Sequence, residues 1–261
     1  MPKVQHLLET RFSVLPGFTS EWLADRLRVV RMFSLPSVAA QTTDAFTWIV
    51  FCDESTDPDI LTQLRIEEDR LANLRVILTS ERRTRIAIVR ELVQPDTDVL
   101  ITTRLDSDDA IADQYLAAIQ DYAEQFHRSS HSHLLLNFPR GYRMDVRRGQ
   151  LHRGWMPNSP FHSFFERPRE ALPRGVMSAG HTALFRRYEG NQRLQMPGEN
   201  GSAWHVRLHQ HYPTHQDESM IAWLIAIHGG NQVSGIPPTA PQLPLGSRPV
   251  GFTLGEGVLA P

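Results

Sequence analysis

Cysteine and lysine are nearly missing from this chain: Cys52 and Lys3 are the single representatives of each in 261 residues. One thiol cannot close an internal disulfide, which excludes a small cross-linked scaffold and points to a reducing compartment. Arginine supplies the remaining cations, and any chemistry that needs a lysine after residue 3 is excluded. There is no excess of one charge either. With a formal net charge of −2, no nucleic acid partner is expected. Long apolar runs are absent: nothing approaches the roughly 20 uninterrupted apolar residues of a membrane span. Met1 to His6 lacks the apolar stretch of a signal peptide. The expectation is a cytoplasmic protein with no transmembrane segment, free to work at the inner face of the membrane. No internal repeat is found.

What is present is enough apolar sequence, 41%, for one substantial core. Val4 to Leu8 reads as a strand leading into a polar loop, Thr10-Arg11-Phe12-Ser13, and Glu21 to Pro36 as a helix. Phe46 to Phe51 is a β-prone block ending in Cys52-Asp53-Glu54-Ser55-Thr56-Asp57. Leu61 to Leu71 and Arg83 to Val93 have helical periodicity, with a strand at Leu74 to Leu78 between them. This alternation predicts an α/β fold with a mostly parallel central sheet. Further on, a helix is expected from Ala110 to Phe126, a strand at Leu134 to Phe138, and an irregular region after it. β-like character resumes at Met177 to Arg187, and a turn-rich stretch follows at Met196 to Ser202. His215 to Asn231 reads as a buried amphipathic helix with a glycine stop. Residues 1–235 are expected to form the domain, and the Pro- and Gly-rich 236–261 a tail or lid.

Asp98-Val-Leu-Ile-Thr-Thr-Arg-Leu-Asp106-Ser-Asp108-Asp109 is the most informative run, because an apolar strand ends in three carboxylates within four residues. At the carboxyl end of a strand in an open α/β sheet, such a cluster suits a hard cation holding substrate phosphates. The plainer role is that Asp108 or Asp109 caps the next helix. A haloacid-dehalogenase-type phosphohydrolase would place Thr or Val where Ala110 stands and would need a later lysine. An EF-hand would need glycine where Ile111 stands.

Phe51-Cys-Asp53-Glu-Ser55-Thr56-Asp57 and Leu105-Asp106-Ser-Asp108-Asp109 together resemble the nucleotide-binding loop and the Asp-x-Asp site of inverting GT-A glycosyltransferases. More narrowly, Thr10-Arg-Phe-Ser13, Thr103 to Asp109, Asn137-Phe-Pro-Arg-Gly141-Tyr142 and His228-Gly-Gly-Asn231 are similar to the rhamnosyltransferase family, across most of residues 6 to 231. The resemblance implies a GT-A-like nucleotide-sugar-binding fold that moves a sugar, rhamnose by family label, from a nucleoside diphosphate donor to a glycan or other hydroxyl acceptor with inversion. Mg or Mn is the implied cofactor. Asp53 would contact the base. Thr10, Arg11, Arg90, Arg104 and Asp106 would contact the rest of the nucleotide, and Asp106, Asp108, Asp109 and His228 would hold the metal. Arg90 sits in Val89-Arg90-Glu91, where the family has Ala-Arg-Asn, and a solvated helix arginine is its equal rival. Cys52 and Glu54 depart from the family's acid and glycine, which leaves base specificity open.

Inversion requires a base opposite the leaving diphosphate. Gln216-Asp217 takes the place of the family's acidic pair, so Asp217 is the implied base and Glu218 its understudy, with helix capping as Asp217's alternative role. His228 has a helix-end alternative and Arg104 an ion-pair alternative. His181 would face acceptor or phosphate. The non-enzyme alternative is a glycan- or nucleotide-binding protein on a degenerate GT-A fold.

Overall fold

The computed structural model describes residues 1–14, 17–79, 81–178, 194–197, 203–206, 212–228 and 235–258. Its main sheet has seven strands in the order β12-β6-β9-β4-β1-β2-β3. These are β1 (Val4–Ser13), β2 (Thr47–Cys52), β3 (Leu74–Leu78), β4 (Val99–Arg104), β6 (His133–Asn137), β9 (His162–Glu166) and β12 (Thr214–Gln216). Only β9 runs against its neighbours; the other six point the same way. The expected α/β class with a mostly parallel sheet is therefore present. A four-stranded sheet, β5-β13-β7-β8, lies beside it and consists of β5 (Ala110–Ile111), β7 (Arg140–Asp145), β8 (Gln150–Trp155) and β13 (Trp223–Ile227). A third pair joins β10 (Leu194–Pro197) and β11 (Ala203–Val206).

The central strands are apolar on both faces because helices cover both. Leu8, Phe12, Trp48, Val50, Val99 and Ile101 pack on one side with Leu23, Leu27 and Val30 of α1 (Ser20–Met32) and Ile60 and Leu64 of α3 (Pro58–Arg70). On the other side, Leu7, Ile49, Phe51 and Leu100 pack on Val89 of α4 (Arg82–Leu92). Local chemistry starts the helices. The Thr19 side chain accepts from Trp22 N–H at the head of α1, and Asp57 accepts from Asp59 N–H at the head of α3, where Pro58 takes the first turn.

Four sequence expectations change. Thr10 to Ser13 is not a loop: β1 continues to Ser13, held by pairing with Val50, Phe51 and Cys52. The helix expected from Ala110 starts at Tyr115, as α5 (Tyr115–Gln120) followed by α6 (Tyr122–Arg128), because Ala110 and Ile111 pair with β13. Asp108 and Asp109 therefore cap no helix. The region after Phe138 is a regular β7–β8 hairpin, continuous in register from Arg140 with Trp155 to Asp145 with Gln150. Of the helix expected over His215 to Asn231, the described part, to His228, is two strands, β12 and β13, joined by a loop; Trp223-Leu-Ile-Ala-Ile is buried on both faces between β5 and β7. A short apolar run of this kind has no periodicity to tell strand from helix.

Gly141 and Gly154 make that packing possible. A Cβ at Gly141 would lie 2.1 Å from the Trp223 ring, and one at Gly154 2.7 Å from it. The Trp223 indole stacks on Phe161 at 5.5 Å, and its N–H donates to Phe138 O at 2.8 Å. Residues 235–258 have little regular structure but are packed in place. Leu243 N–H donates to Leu151 O, Gly255 N–H to Met32 O, and Thr253 N–H to Asp113. Among the described residues no helix is long and apolar enough to cross a membrane.

Candidate active site

Because β1, β2 and β4 are parallel, Arg11, Asp53 and Arg104 emerge at one edge of the sheet, the carboxyl edge where open α/β sheets bind ligands. Asp53 follows β2 and is fixed by its neighbours. Its N–H donates to Ser13 O at 2.7 Å, and its Oδ1 accepts from Ser55 N–H at 2.8 Å and from Ser55 Oγ at 2.5 Å. The Ser13 and Thr56 hydroxyls bond each other at 2.7 Å beneath it. Asp53 Oδ2 is buried and has no hydrogen-bond partner among the described residues. An unsatisfied buried carboxylate oxygen is costly unless a ligand donor meets it.

The turn after β4 is held by arginines. Arg104 forks Asp106: its Nε lies 3.1 Å and one terminal nitrogen 2.9 Å from Oδ1, and that nitrogen is also 2.9 Å from Oδ2. Arg11 stands 4.0 Å from Asp106 Oδ1. Asp108 Oδ2 lies 2.7 Å from an Arg26 terminal nitrogen and 3.2 Å from His228 Nε2. Burial pulls the Asp108 carboxyl upward, but His228 and Arg26 more than offset it and hold it below the usual range. Asp109 is pushed well above that range by burial, then by Asp108 and Asp106, although Ala226 N–H donates to its Oδ1 at 3.2 Å. β13 and the residue after it thus hold the acid turn at two separate points, Asp109 through Ala226 N–H and Asp108 through His228. Yet among the described residues no three His, Cys, Asp or Glu side chains converge as a metal would require.

Asp217 follows β12, whose direction matches that of β4, so it sits on the same edge. Three strand spacings separate the two strands, roughly 14 Å. Its Oδ2 accepts from Tyr122 OH at 2.7 Å and its Oδ1 from Ser219 N–H at 2.7 Å. Burial raises this carboxyl while Ser219 and Tyr122 lower it further, leaving it ionised below the usual range. Glu218 is exposed, and its carbonyl accepts from Arg140. Thr10 is turned away from this edge into the α1 side of the core, where its hydroxyl accepts from Trp48 Nε1 at 2.9 Å. Arg90 is exposed and donates to Pro173 O at 2.7 Å. His181, Gly229, Gly230 and Asn231 lie outside the described residues.

Several residues escape the sequence reading. Arg26 lies on α1 and looks like an ordinary helix-surface arginine; only the fold brings it to Asp108. Tyr122 reads as core packing, yet its hydroxyl serves Asp217. Glu9 is buried in β1, opposite Arg104 in register, with an Oε1 that has no hydrogen-bond partner among the described residues. Burial and the nearby Glu166 push Glu9 up to about 8, against the pull of Arg85. The alternation of β1 placed a carboxylate on a buried face, and that was the available signal.

In solved structures, this chain is similar to residues 1–349 of TarS from S. aureus in complex with UDP, at 13% identity and a TM-score of 0.46, over 85% of this chain and 60% of that one. It is also similar to the mannosyltransferase PcManGT from Pyrobaculum calidifontis in complex with GDP-Man and Mn2+, at 12% identity and a TM-score of 0.43, over 88% of this chain and 58% of that one. The chain thus spans about three fifths of the length of either. A comparison with curated proteins found no match. The family described as "Putative rhamnosyl transferase" matches residues 3–199. That span holds Arg11, Asp53, Arg104 and the whole acid turn and makes up most of the 261 residues, so the chain belongs to this family.

Proposed function

We propose that this protein transfers a sugar from a nucleoside diphosphate donor to a hydroxyl of a glycan or similar acceptor, with inversion, and that the sugar is rhamnose. The observation that carries the reading is Asp53. Its Oδ1 is tied down by Ser55 while its buried Oδ2 meets no donor among the described residues, on the edge that also carries Arg11, Arg104 and the acid turn. A nucleobase N–H satisfies that oxygen, and the guanidinium groups suit the diphosphate, whose charge grows as it leaves.

Transfer then needs a group that takes the acceptor proton. As the acceptor oxygen attacks the anomeric carbon, the bond from that carbon to the diphosphate oxygen breaks, and the proton passes to a carboxylate on the opposite face. Asp217 is that group in this proposal. Tyr122 and Ser219 fix its orientation and keep it ionised, and each oxygen retains a lone pair for the acceptor.

Mg or Mn, the cofactor implied by the sequence resemblance, does not fit the described residues. Both Asp106 oxygens face the Arg104 fork, and the Asp108 oxygen nearest His228 is also bonded to Arg26.

The test is a thermal-shift panel of UDP, GDP, dTDP and CDP, followed by transfer from the rhamnose conjugate of the nucleotide that binds. Selective stabilisation by one nucleotide and sugar transfer with inverted anomeric configuration are expected. Stabilisation without turnover would instead make the protein a nucleotide-sugar-binding module, and no stabilisation would remove the donor site.

A further inference from the structure

The misfit between the acid turn and a divalent ion has a constructive side. Three carboxylates within four residues need counter-charge, and besides Arg11 at 4.0 Å two arginines in direct contact supply it from different parts of the fold. Arg104, at the end of β4, meets Asp106 through two nitrogens. Arg26 reaches across from α1 to Asp108 at 2.7 Å, with its side chain only 19% exposed. Its position is prepared: the guanidinium lies over the Trp22 ring, 5.2 Å from the centroid, and Trp22 is itself stacked on Phe18 at 3.9 Å. One donor of this group is unspent among the described residues, since the Arg26 Nε is buried without a hydrogen-bond partner there.

We propose that Arg26, with Arg104, is the resident cation of the acid turn and positions the donor diphosphate without a divalent metal. The inference rests on the nucleotide-donor reading above. Guanidinium charge is permanent, and its planar fork can bond a carboxylate on one side and a phosphate oxygen on another. A divalent ion placed on the same Asp108 oxygen would face that fixed positive charge at close range. Arg26 therefore does two things at once: it neutralises Asp108, and it keeps N–H donors at the place where the leaving diphosphate gains charge.

Calorimetry of the best-binding nucleoside diphosphate, in excess EDTA and in Mn, tests this on wild type, Arg26→Gln and Arg26→Lys. In wild type, affinity is expected to agree within about twofold between the two conditions. Arg26→Gln should lose about tenfold or more in EDTA, the scale of one charge-assisted hydrogen bond, and regain much of it in Mn, because Asp108 is then open to the metal. Arg26→Lys keeps charge but not the fork and should fall between. Wild-type binding that needs Mn overturns the proposal, as does EDTA affinity in Arg26→Gln equal to that of wild type. If Arg26→Gln fails to fold, the wild-type comparison of EDTA with Mn still decides. Absence of nucleotide binding in every condition would instead sink the donor reading, and this inference with it.

Discussion

The Tyr122 hydroxyl donates a 2.7 Å hydrogen bond to Oδ2 of Asp217, joining the first residue of α6 to the loop that leaves β12. If Asp217 takes the acceptor proton, Asp217→Asn should leave donor affinity nearly unchanged and lower turnover by about 10²-fold or more. Glu218→Gln should stay near wild type, because Glu218 is exposed and Arg140 holds it through its carbonyl. Donor binding measured beside transfer separates the cases; loss in Glu218→Gln with activity in Asp217→Asn would move the role one residue along.

Tyr122→Phe makes a prediction about pH. Burial raises the Asp217 carboxyl, and the hydrogen bonds from Ser219 and Tyr122 lower it by more. Removing the hydroxyl should shift the acid limb of the kcat profile to higher pH, with a drop of several-fold at acid pH and recovery toward neutrality. A uniform drop at all pH values would mean that Tyr122 acts on placement alone.

Asp53→Ala should weaken nucleotide binding equally in Mn and in EDTA, since Asp53 is assigned to the base. Loss of a hydrogen bond to a charged group is worth about 1.5–3 kcal/mol, or roughly 10- to 100-fold in Kd. Calorimetry checks it, and a loss seen only with metal present would reassign the residue to the diphosphate side.

Glu9 sets a stability profile. Its carboxyl is raised from 4.5 to about 8 by burial and then by Glu166, so the folded protein holds a proton that the unfolded chain releases. That contribution is present below pH 4.5 and is lost as pH rises toward 8, at up to about 1.4 kcal/mol per pH unit. Glu9→Gln lacks the proton and should therefore gain on wild type as pH rises through this window in urea unfolding. Parallel profiles for the two proteins would refute the buried protonated form.

Gly141→Ala should destabilise by about 1–3 kcal/mol, the usual cost of overpacking, because the added methyl would lie 2.1 Å from the Trp223 ring. Chemical unfolding reads this directly, and Trp223→Leu in the same chain should recover part of the loss.

The sequence was most readable where one strand and its exit loop carry the whole message. β2 and β4 are contiguous apolar runs that stop at polar loops, so Asp53 and Asp106 to Asp109 could be set at strand ends from spacing alone. β3, only five residues long, matched its expected bounds because its neighbours are clear helices. Trp223 to Ile227 misled because a run buried on both faces carries no period of two; what makes it a strand is its pairing with β7, a partner some eighty residues earlier in the chain. Arg26 was unreadable for a related reason: its role depends on a contact between α1 and a turn after β4, and nothing local to α1 marks it. Thr10 and Arg11 part through register. One residue along β1 exchanges the two faces of the sheet, which puts Arg11 near Asp106 and Thr10 in the core.

β13 touches three things at once. Its first residue fills the space left by Gly141 and Gly154, its Ala226 N–H holds Asp109, and the residue after it reaches Asp108. The seat of the indole and the seat of the acids are thus two ends of one short rod. A misfit at the tryptophan end is transmitted as a shift in where the carboxylates stand, so a substitution in the second sheet, far from any nucleotide, should be legible as a change in how tightly the nucleotide is held.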